Sequence, residues 1–368
     1  MTAAPQAPAR SRRRRRLRIC VIASSRFPIA EPFAGGLEAW THGLVSQLDA
    51  RGHDVTLFAG PGTDPALPVE TLPVPAFTAT RVAQADVNAP SERWMSEHHA
   101  YLSLMMRLAA ESDFDIIHNS SLHHLPVAMA RTLPVPLVTT LHTPPVPWLE
   151  SAVALSADPG TFVAVSEMTA QSWAGTIGAA VILNGVDTTA FAPGPGGGAA
   201  VWTGRMVREK APHRAVEAAR RAGVDLVLAG PVSDPAYFAA EVEPRLGDGV
   251  SYAGHLRRAE LAALVGSASV AVVTPDWDEP YGLVAAEAMA CGTPVAAYRR
   301  GALPEIVVPG TGALAEPGDD ASLAEAIRVA ARCDRDAVRA HAVRHCSLGR
   351  MVDEYEALYA GLGARQAA

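Results

Sequence analysis

The sequence predicts an α/β protein built as two doubly wound parallel-sheet domains that face each other across a cleft. Three observations carry that expectation. Short apolar runs alternate with amphipathic helical patterns, the rhythm of a parallel sheet buried on both faces. The rhythm breaks once, at the Pro/Gly-rich stretch FAPGPGGGAA (191–200), and then restarts. The 368 residues, 49% of them hydrophobic, suffice for two cores of ordinary size.

Taken in order, LRICVIA (17–23) reads as a strand followed by a long loop. GLEAWTHGLVSQLDARG (36–52) reads as an amphipathic helix with its stop at Gly52, DVTLFAG (54–60) as the next strand, and about 90–111 as a longer helix. FDIIHNS (114–120), PLVTTLH (136–142), TFVAVSE (161–167) and AAVILNG (179–185) are strand-like, with helical segments between some of them. Gly194–Ala199 spells G-x-G-x-x-A, but no strand precedes it immediately and a strand follows where a helix should open, so an interdomain linker is expected. In the second half AVWTG, DLVLAG, GVSYAG, VAVVTP and TPVAAY are strand-like. Helices are expected at about 210–222, 235–246, 257–267, 282–291 and 320–333. A last helical pattern covers 347–362, with Ser347 as N-cap. The expected organisation is a basic tail at 1–16, a first domain at 17–190, a linker at 191–198, a second domain at 199–345, and a terminal segment at 346–368.

Charge narrows the function classes. Residues 1–18 hold seven arginines and no acid, leaving 24 basic against 38 acidic residues elsewhere, a balance of −14. An acidic body argues against a nucleic-acid surface. The tail reads as a disordered leader, or as a polybasic contact to an anionic membrane face; its apolar stretch ICVIA is too short for a secretory signal. The four cysteines show no CxxC spacing, so neither a disulfide framework nor a zinc site is expected, and a cytoplasmic setting is. The pairs His98–His99 and His123–His124 lack the i, i+4 spacing of helical metal ligands and receive no role. The D-x-D triplets at 113–115 and 276–278 are not expected to hold a metal.

Two constellations carry chemistry. The chain has 31 lysines and arginines together, and Lys210 is the single lysine. It follows Arg205 by five residues, where the strand AVWTG ends and a helix begins. Ligands of doubly wound sheets sit beyond the carboxyl ends of strands. A planar guanidinium fork and a compact ammonium there suit a diphosphate. The second constellation is DEPYGLVAAEAMACGTPV (278–295), where Gly282 opens a helix flanked by Glu279 and Glu287. A helix N-terminus favours an anion. Two carboxylates beside it suit sugar hydroxyls, which donate to them.

Together GRMVREK, EPYGLVAAEAMACGTPV, VAVSE and ILNGVD resemble the family-4 retaining glycosyltransferases (glycosyl transferase group 1), which have the GT-B fold of two Rossmann-like domains. The resemblance runs from about residue 17 to 362. It implies that Arg205 and Lys210 bind the nucleotide diphosphate and stabilise its leaving charge, and that Glu279 contacts donor-sugar hydroxyls. It implies that N–H groups near Gly282 and Leu283 hold the distal phosphate while Glu287 accepts from the ribose. FAGGLEAW resembles the family's glycine loop, bringing Gly35 and Gly36 to the diphosphate or acceptor; read alone, the pair is also a plain helix start. His142 stands where the family has a histidine facing the donor sugar, and the segment around His255 and Leu256 would contribute to the base pocket. The terminal helix would cross back onto the first domain. The implied activity is retaining transfer of a hexosyl-type sugar from a nucleotide-diphosphate sugar to an acceptor hydroxyl, without an essential metal or other cofactor. The alternatives are a nucleotide-sugar epimerase or hydrolase on the same fold, or a protein that acts through its polybasic tail.

Overall fold

The computed structural model describes residues 15–72 and 77–366; residues 1–14, which make up most of the basic tail, lie outside them. The tail's last arginines are placed: Arg15 pairs with Asp115 at 3.1 Å and Arg16 with Asp54 at 3.8 Å. Both guanidiniums are solvent-exposed, so these pairs contribute little.

The first sheet has seven parallel strands: β1 (Arg18–Ile22), β2 (Asp54–Ala59), β3 (Val69–Thr71), β4 (Ile116–Asn119), β5 (Leu137–Leu141), β6 (Thr161–Ala164) and β7 (Ala180–Val181), in the order β3-β2-β1-β4-β5-β6-β7. Its helices are α1 (Gly36–Ala50), α2 (Glu92–Ala110), α3 (His124–Ala128), α4 (Pro147–Leu155) and α5 (Glu167–Trp173). Ile19, Cys20, Val21 and Ile22 of β1 are all fully buried. That is the two-sided burial expected of a continuous apolar run in a sheet with helices on both faces.

The second sheet has six parallel strands: β8 (Ala200–Thr203), β9 (Leu226–Ala229), β10 (Val250–Tyr252), β11 (Ala271–Val273), β12 (Val295–Tyr298) and β13 (Gly312–Ala315), in the order β10-β9-β8-β11-β12-β13. Around it lie α6 (Pro212–Ala222), α7 (Pro235–Tyr237), α8 (Arg258–Ser267), α9 (Leu283–Ala290), α10 (Leu303–Ile306), α11 (Asp320–Ala330) and α12 (Arg335–His345). The protein therefore has two Rossmann-like domains.

The last helix, α13 (Leu348–Gln366), follows the second sheet in sequence but packs on the first domain. Leu348, Met351, Val352, Tyr355 and Tyr359 share one apolar cluster with Trp40, Leu44 and Leu48 of α1. Buried polar bonds fix it there. The Tyr359 hydroxyl lies 2.6 Å from His118 Nδ1, and the Tyr355 hydroxyl lies 2.9 Å from Thr140 Oγ1. Ser347 Oγ accepts from the Arg350 N–H at 3.4 Å, the N-cap geometry the sequence predicts.

Two departures from the sequence expectation have local causes. The edge strands β3 and β13 are only three and four residues long, and their chains, VET and GALA, show no alternation or apolar run to mark them. The helix expected at 235–246 forms instead as α7, a π turn (Phe238–Val242) and a 3-10 turn (Glu243–Arg245). Pro244 causes this: it has no N–H to donate, and its ring crowds the carbonyl four residues back.

Candidate active site

Strand order reverses between β1 and β4 in the first sheet and between β8 and β11 in the second. Loops leaving neighbouring strands diverge at such a point and open a crevice. The two crevices face each other across one cavity of ≈ 460 Å³, lined from both domains. Of the residues the sequence singles out, Gly35, Gly36 and His142 line it from the first domain. Arg205, Lys210, His255, Leu256, Glu279, Gly282, Leu283 and Glu287 line it from the second.

Two helix starts meet in the middle. α1 begins at Gly36 and α9 at Leu283, neither has a side-chain hydrogen bond from its N-cap residue, and both starts line the cavity. A Cβ on Gly36 would lie 2.8 Å from Leu283 Cδ1, so the glycine is what lets the helices approach this closely. Gly282 holds φ +96°, a left-handed conformation in which a Cβ would also meet Leu303 Cδ2 at 2.7 Å. Both partial positive poles converge on one spot.

The charged groups surround that spot. The Lys210 ammonium contacts Glu279 Oε2, and the same oxygen accepts from Trp277 Nε1–H at 3.2 Å. Lys210 also lies 4.9 Å from the centroid of the Trp277 ring, a cation–π contact. Its backbone is tied down in turn: Thr274 Oγ1 donates to the Lys210 carbonyl at 3.0 Å, and the Asp276 N–H to the Glu209 carbonyl at 2.8 Å. Arg205, half-exposed, is 3.5 Å from Glu209. The loops after β8 and β11 thus form one braced unit at the switch point.

Glu287, on the first turns of α9, has its carboxyl pushed up to about 7 by burial, against the pull of Arg258. Arg258 links the domains: its Nε is 3.2 Å from Glu31 Oε1 and its guanidinium lies 5.0 Å from the Phe33 ring centroid. His255 is exposed and its Nε2–H donates to the Phe33 carbonyl at 3.0 Å. His142 sits edge-to-face on Trp40, ring centroids 4.6 Å apart. Burial pushes its pKa down to about 3, so the imidazole is neutral, and its Nε2 is buried without a hydrogen-bond partner. Thr143 Oγ1 and Asn184 Oδ1, also in the cavity wall, are orphaned in the same way. Orphaned polar atoms lining one cavity are what a polyhydroxyl ligand would satisfy.

Several wall residues escape the sequence reading. Glu38 lies in the first turn of α1, buried, and burial raises its pKa against the nearby Arg205 and Arg26. The signal was an acid two residues after Gly36 on a helix face otherwise apolar. Trp277, Asn184 and Arg258 carry no spacing that marks them. The D-x-D triplets are occupied by arginines: Asp276 pairs with Arg214 at 3.3 Å, Asp278 with Arg300 at 3.5 Å, and Asp113 with Arg18 at 3.9 Å. The stretch 194–199 runs behind the second domain, where the Gly194 N–H donates to the Cys291 carbonyl at 3.2 Å and the Gly196 N–H to the Gly266 carbonyl at 3.0 Å.

Known proteins resemble this chain in sequence and in fold. Residues 34–190 match the profile described as Glycosyltransferase Family 4, and residues 198–342 match that of Glycosyl transferases group 1. A glycogen synthase of Mycobacterium tuberculosis (strain ATCC 25618 / H37Rv) is 29% identical over 342 residues, covering 80% of this chain and 82% of the relative. A D-inositol 3-phosphate glycosyltransferase of Kribbella flavida is 29% identical over 363 residues, covering 82% and 84%. Among solved structures, sucrose-phosphate synthase from Thermosynechococcus elongatus superposes with a TM-score of 0.78 at 23% identity, covering 95% of this chain and all (100%) of that one. HepE of Anabaena in complex with UDP-glucose superposes with a TM-score of 0.72 at 20% identity, covering 94% and 100%. The likeness to the two solved structures is one of fold.

Proposed function

This chain belongs to the family-4 glycosyltransferases, and on that premise we propose that it transfers a hexosyl-type sugar from a nucleoside-diphosphate sugar to an acceptor hydroxyl, with retention of configuration and without an essential metal. The observation that carries this reading is the meeting of two uncapped helix starts, at Gly36 and Leu283, beside Lys210 and Arg205 in one interdomain cavity. Four sources of positive potential on one point suit a diphosphate, and they act most strongly when the closed cleft excludes water.

Each residue has a part in the transfer. Lys210 and Arg205 stabilise the charge that develops as the sugar–phosphate bond breaks, with the N–H groups at the start of α9 on the distal phosphate. Glu279, held by Lys210 and Trp277, keeps a second oxygen for donor-sugar hydroxyls. Glu287 accepts from the ribose, with His255 and Leu256 beside the base. Neutral His142 hydrogen-bonds the sugar through Nε2. Glu279 is committed to Lys210 and so is poorly placed to act as a nucleophile. Retention then follows if the acceptor oxygen attacks the anomeric carbon from the leaving-group face, its proton passing to the departing phosphate oxygen. HepE, whose structure holds UDP-glucose, shares this fold and supports a donor of that chemical class.

A thermal-shift screen against uridine, adenosine and guanosine diphosphates and their hexoses, with and without a chelator, tests the reading. One nucleoside diphosphate should raise the melting temperature, and the chelator should leave the shift in place. No shift with any of the three would overturn the donor assignment, and a shift abolished by the chelator would overturn metal independence.

A further inference from the structure

Four aromatic rings from three helices stack into one column on the first domain, outside the donor grip. Trp94 stacks on His98 within α2, centroids 4.8 Å apart and planes 12° apart. His98 stacks on His124 at the start of α3 (5.5 Å, 26°), and His124 on Trp148 at the start of α4 (5.5 Å, 14°). Behind them His123 stacks on both His124 (4.5 Å, 24°) and Tyr101 (4.1 Å, 20°). The histidine pairs that the sequence left without a role therefore meet in space, except that His99 meets only His98, edge-on at 6.0 Å.

The column adjoins the cleft. α3 and α4 follow β4 and β5, so it stands at the carboxyl edge of the first sheet, the edge that faces the donor site. Leu122, the residue before His123, lines the cavity, as do His142 and Thr143 just ahead of α4. Leu122 holds φ +61°, a conformation a leucine adopts only where its surroundings impose it.

Its chemistry is uncharged and amphipathic. Burial pushes the pKa of His98 and His124 down and that of His123 down to about 3, so the imidazoles are neutral at pH 7. Arg93, on the same helix as His98, is paired with Glu97 at 3.0 Å. The indoles that end the column remain in water: Trp148 is 51% exposed and Trp94 38%. Core packing does not require that. Among the described residues no group of three His, Cys, Asp or Glu is placed to share a metal ion, although His98 and His124 of the column and His123 behind it lie ring to ring.

We propose that this column is the acceptor wall of the cleft, and that the acceptor is an uncharged glycoside whose ring lies on the exposed Trp148 and Trp94 indoles. The proposal rests on the glycosyltransferase reading above and adds the acceptor's class to it. A sugar ring presents a face of C–H bonds to an indole and keeps its hydroxyls at the rim, free to donate to imidazole nitrogens such as His98 Nδ1, which is buried without a partner. An acceptor bearing a phosphate would find no free cation in the column.

Phenyl β-glucoside is the uncharged probe and glucose 6-phosphate the charged one. Their affinities are measured by calorimetry and saturation-transfer NMR on the protein saturated with the nucleoside diphosphate that stabilises it. Wild type should bind phenyl β-glucoside and prefer it to glucose 6-phosphate. Trp148→Ala should weaken that binding about tenfold, and Trp148→Phe should restore most of it. Nucleoside diphosphate affinity should be unchanged in both variants. Tighter binding of glucose 6-phosphate, absence of phenyl β-glucoside binding, or binding unaffected by both Trp148→Ala and Trp94→Ala would overturn the wall while leaving the donor site intact. A wild-type protein that binds no nucleoside diphosphate would overturn the donor reading and this proposal with it.

Discussion

The two faces of the cleft are assembled by different rules. The second domain draws most of its charged groups from two contiguous stretches, 204–210 and 276–287, each running from the end of a central strand into a helix, with Arg258 added from the start of α8. The first domain draws its wall from the loop after β1 with α1 and from the loops after β4, β5, β6 and β7, with more than a hundred residues between Glu38 and Asn184; the aromatic column proposed for the acceptor stands beside that wall. The difference reflects what each face would hold. A diphosphate and a ribose have fixed size and charge, so the groups that grip them recur at fixed spacing. An acceptor is met by shape and by ring faces, which any loop can supply. If that contrast is right, substitutions on the second face disturb donor chemistry, and those on the first leave it alone.

The hardest blow to the second face is Lys210→Ala. It removes the ammonium and leaves Glu279 facing the diphosphate without its partner. The expected loss in kcat is on the order of 10²-fold or more, the scale seen when a preorganised electrostatic stabiliser is removed from an active site. Steady-state kinetics at saturating donor measure it. Activity within threefold of wild type would mean that the two faces do not divide the work in this way.

A second, smaller test sets one glycine against another. Gly282→Ala forces an L-residue into φ +96° and drives a Cβ towards Leu303, a strain of roughly 1–2 kcal/mol that the start of α9 would relieve by moving. Nucleoside diphosphate affinity should fall roughly tenfold, with a melting temperature lower by about 2–4 °C. Gly35→Ala should do much less. Gly35 is extended, at φ −171°, and its new Cβ would meet only Glu38 Oε2 at 3.2 Å. Calorimetry on the two variants compares them. Equal losses would show that α1 grips the phosphates as firmly as α9.

Legibility in the sequence follows the same divide. The central strands were readable because two-sided burial demands unbroken apolar runs such as ICVI and VAVV. The edge strands β3 and β13 were not, because each pairs on one side only and three or four residues suffice. Lys210, Glu279, Gly282 and Glu287 stood out because local spacing places them on one strand end and one helix start. Glu38 did not, since its function as a buried wall carboxylate depends on Arg205 and Arg26, which arrive from elsewhere in the chain. The aromatic column is the extreme case. His98 and His124 are silent as dipeptide pairs, and only the stacking of α2 beside α3 and α4 gives them a common surface.

Glu287 allows the gentlest test, because it works through a single proton. Burial raises its carboxyl to about 7 in the free protein, against 4.5 for an unperturbed side chain. The neutral form is therefore the one folding favours: its contribution to stability is full below about 4.5 and is lost as pH rises through about 7. Glu287→Gln keeps a neutral group of the same shape, so its melting temperature should decline less than that of wild type between pH 6 and 8. Binding should run the other way. Ribose hydroxyls donate best to the ionised carboxylate, so the affinity advantage of wild type over Glu287→Gln should grow a few-fold across the same interval. The nucleotide's own titration is common to both proteins and cancels in the ratio. An affinity ratio independent of pH would take Glu287 off the ribose, and the second face would then owe its grip to the cations and the α9 start alone.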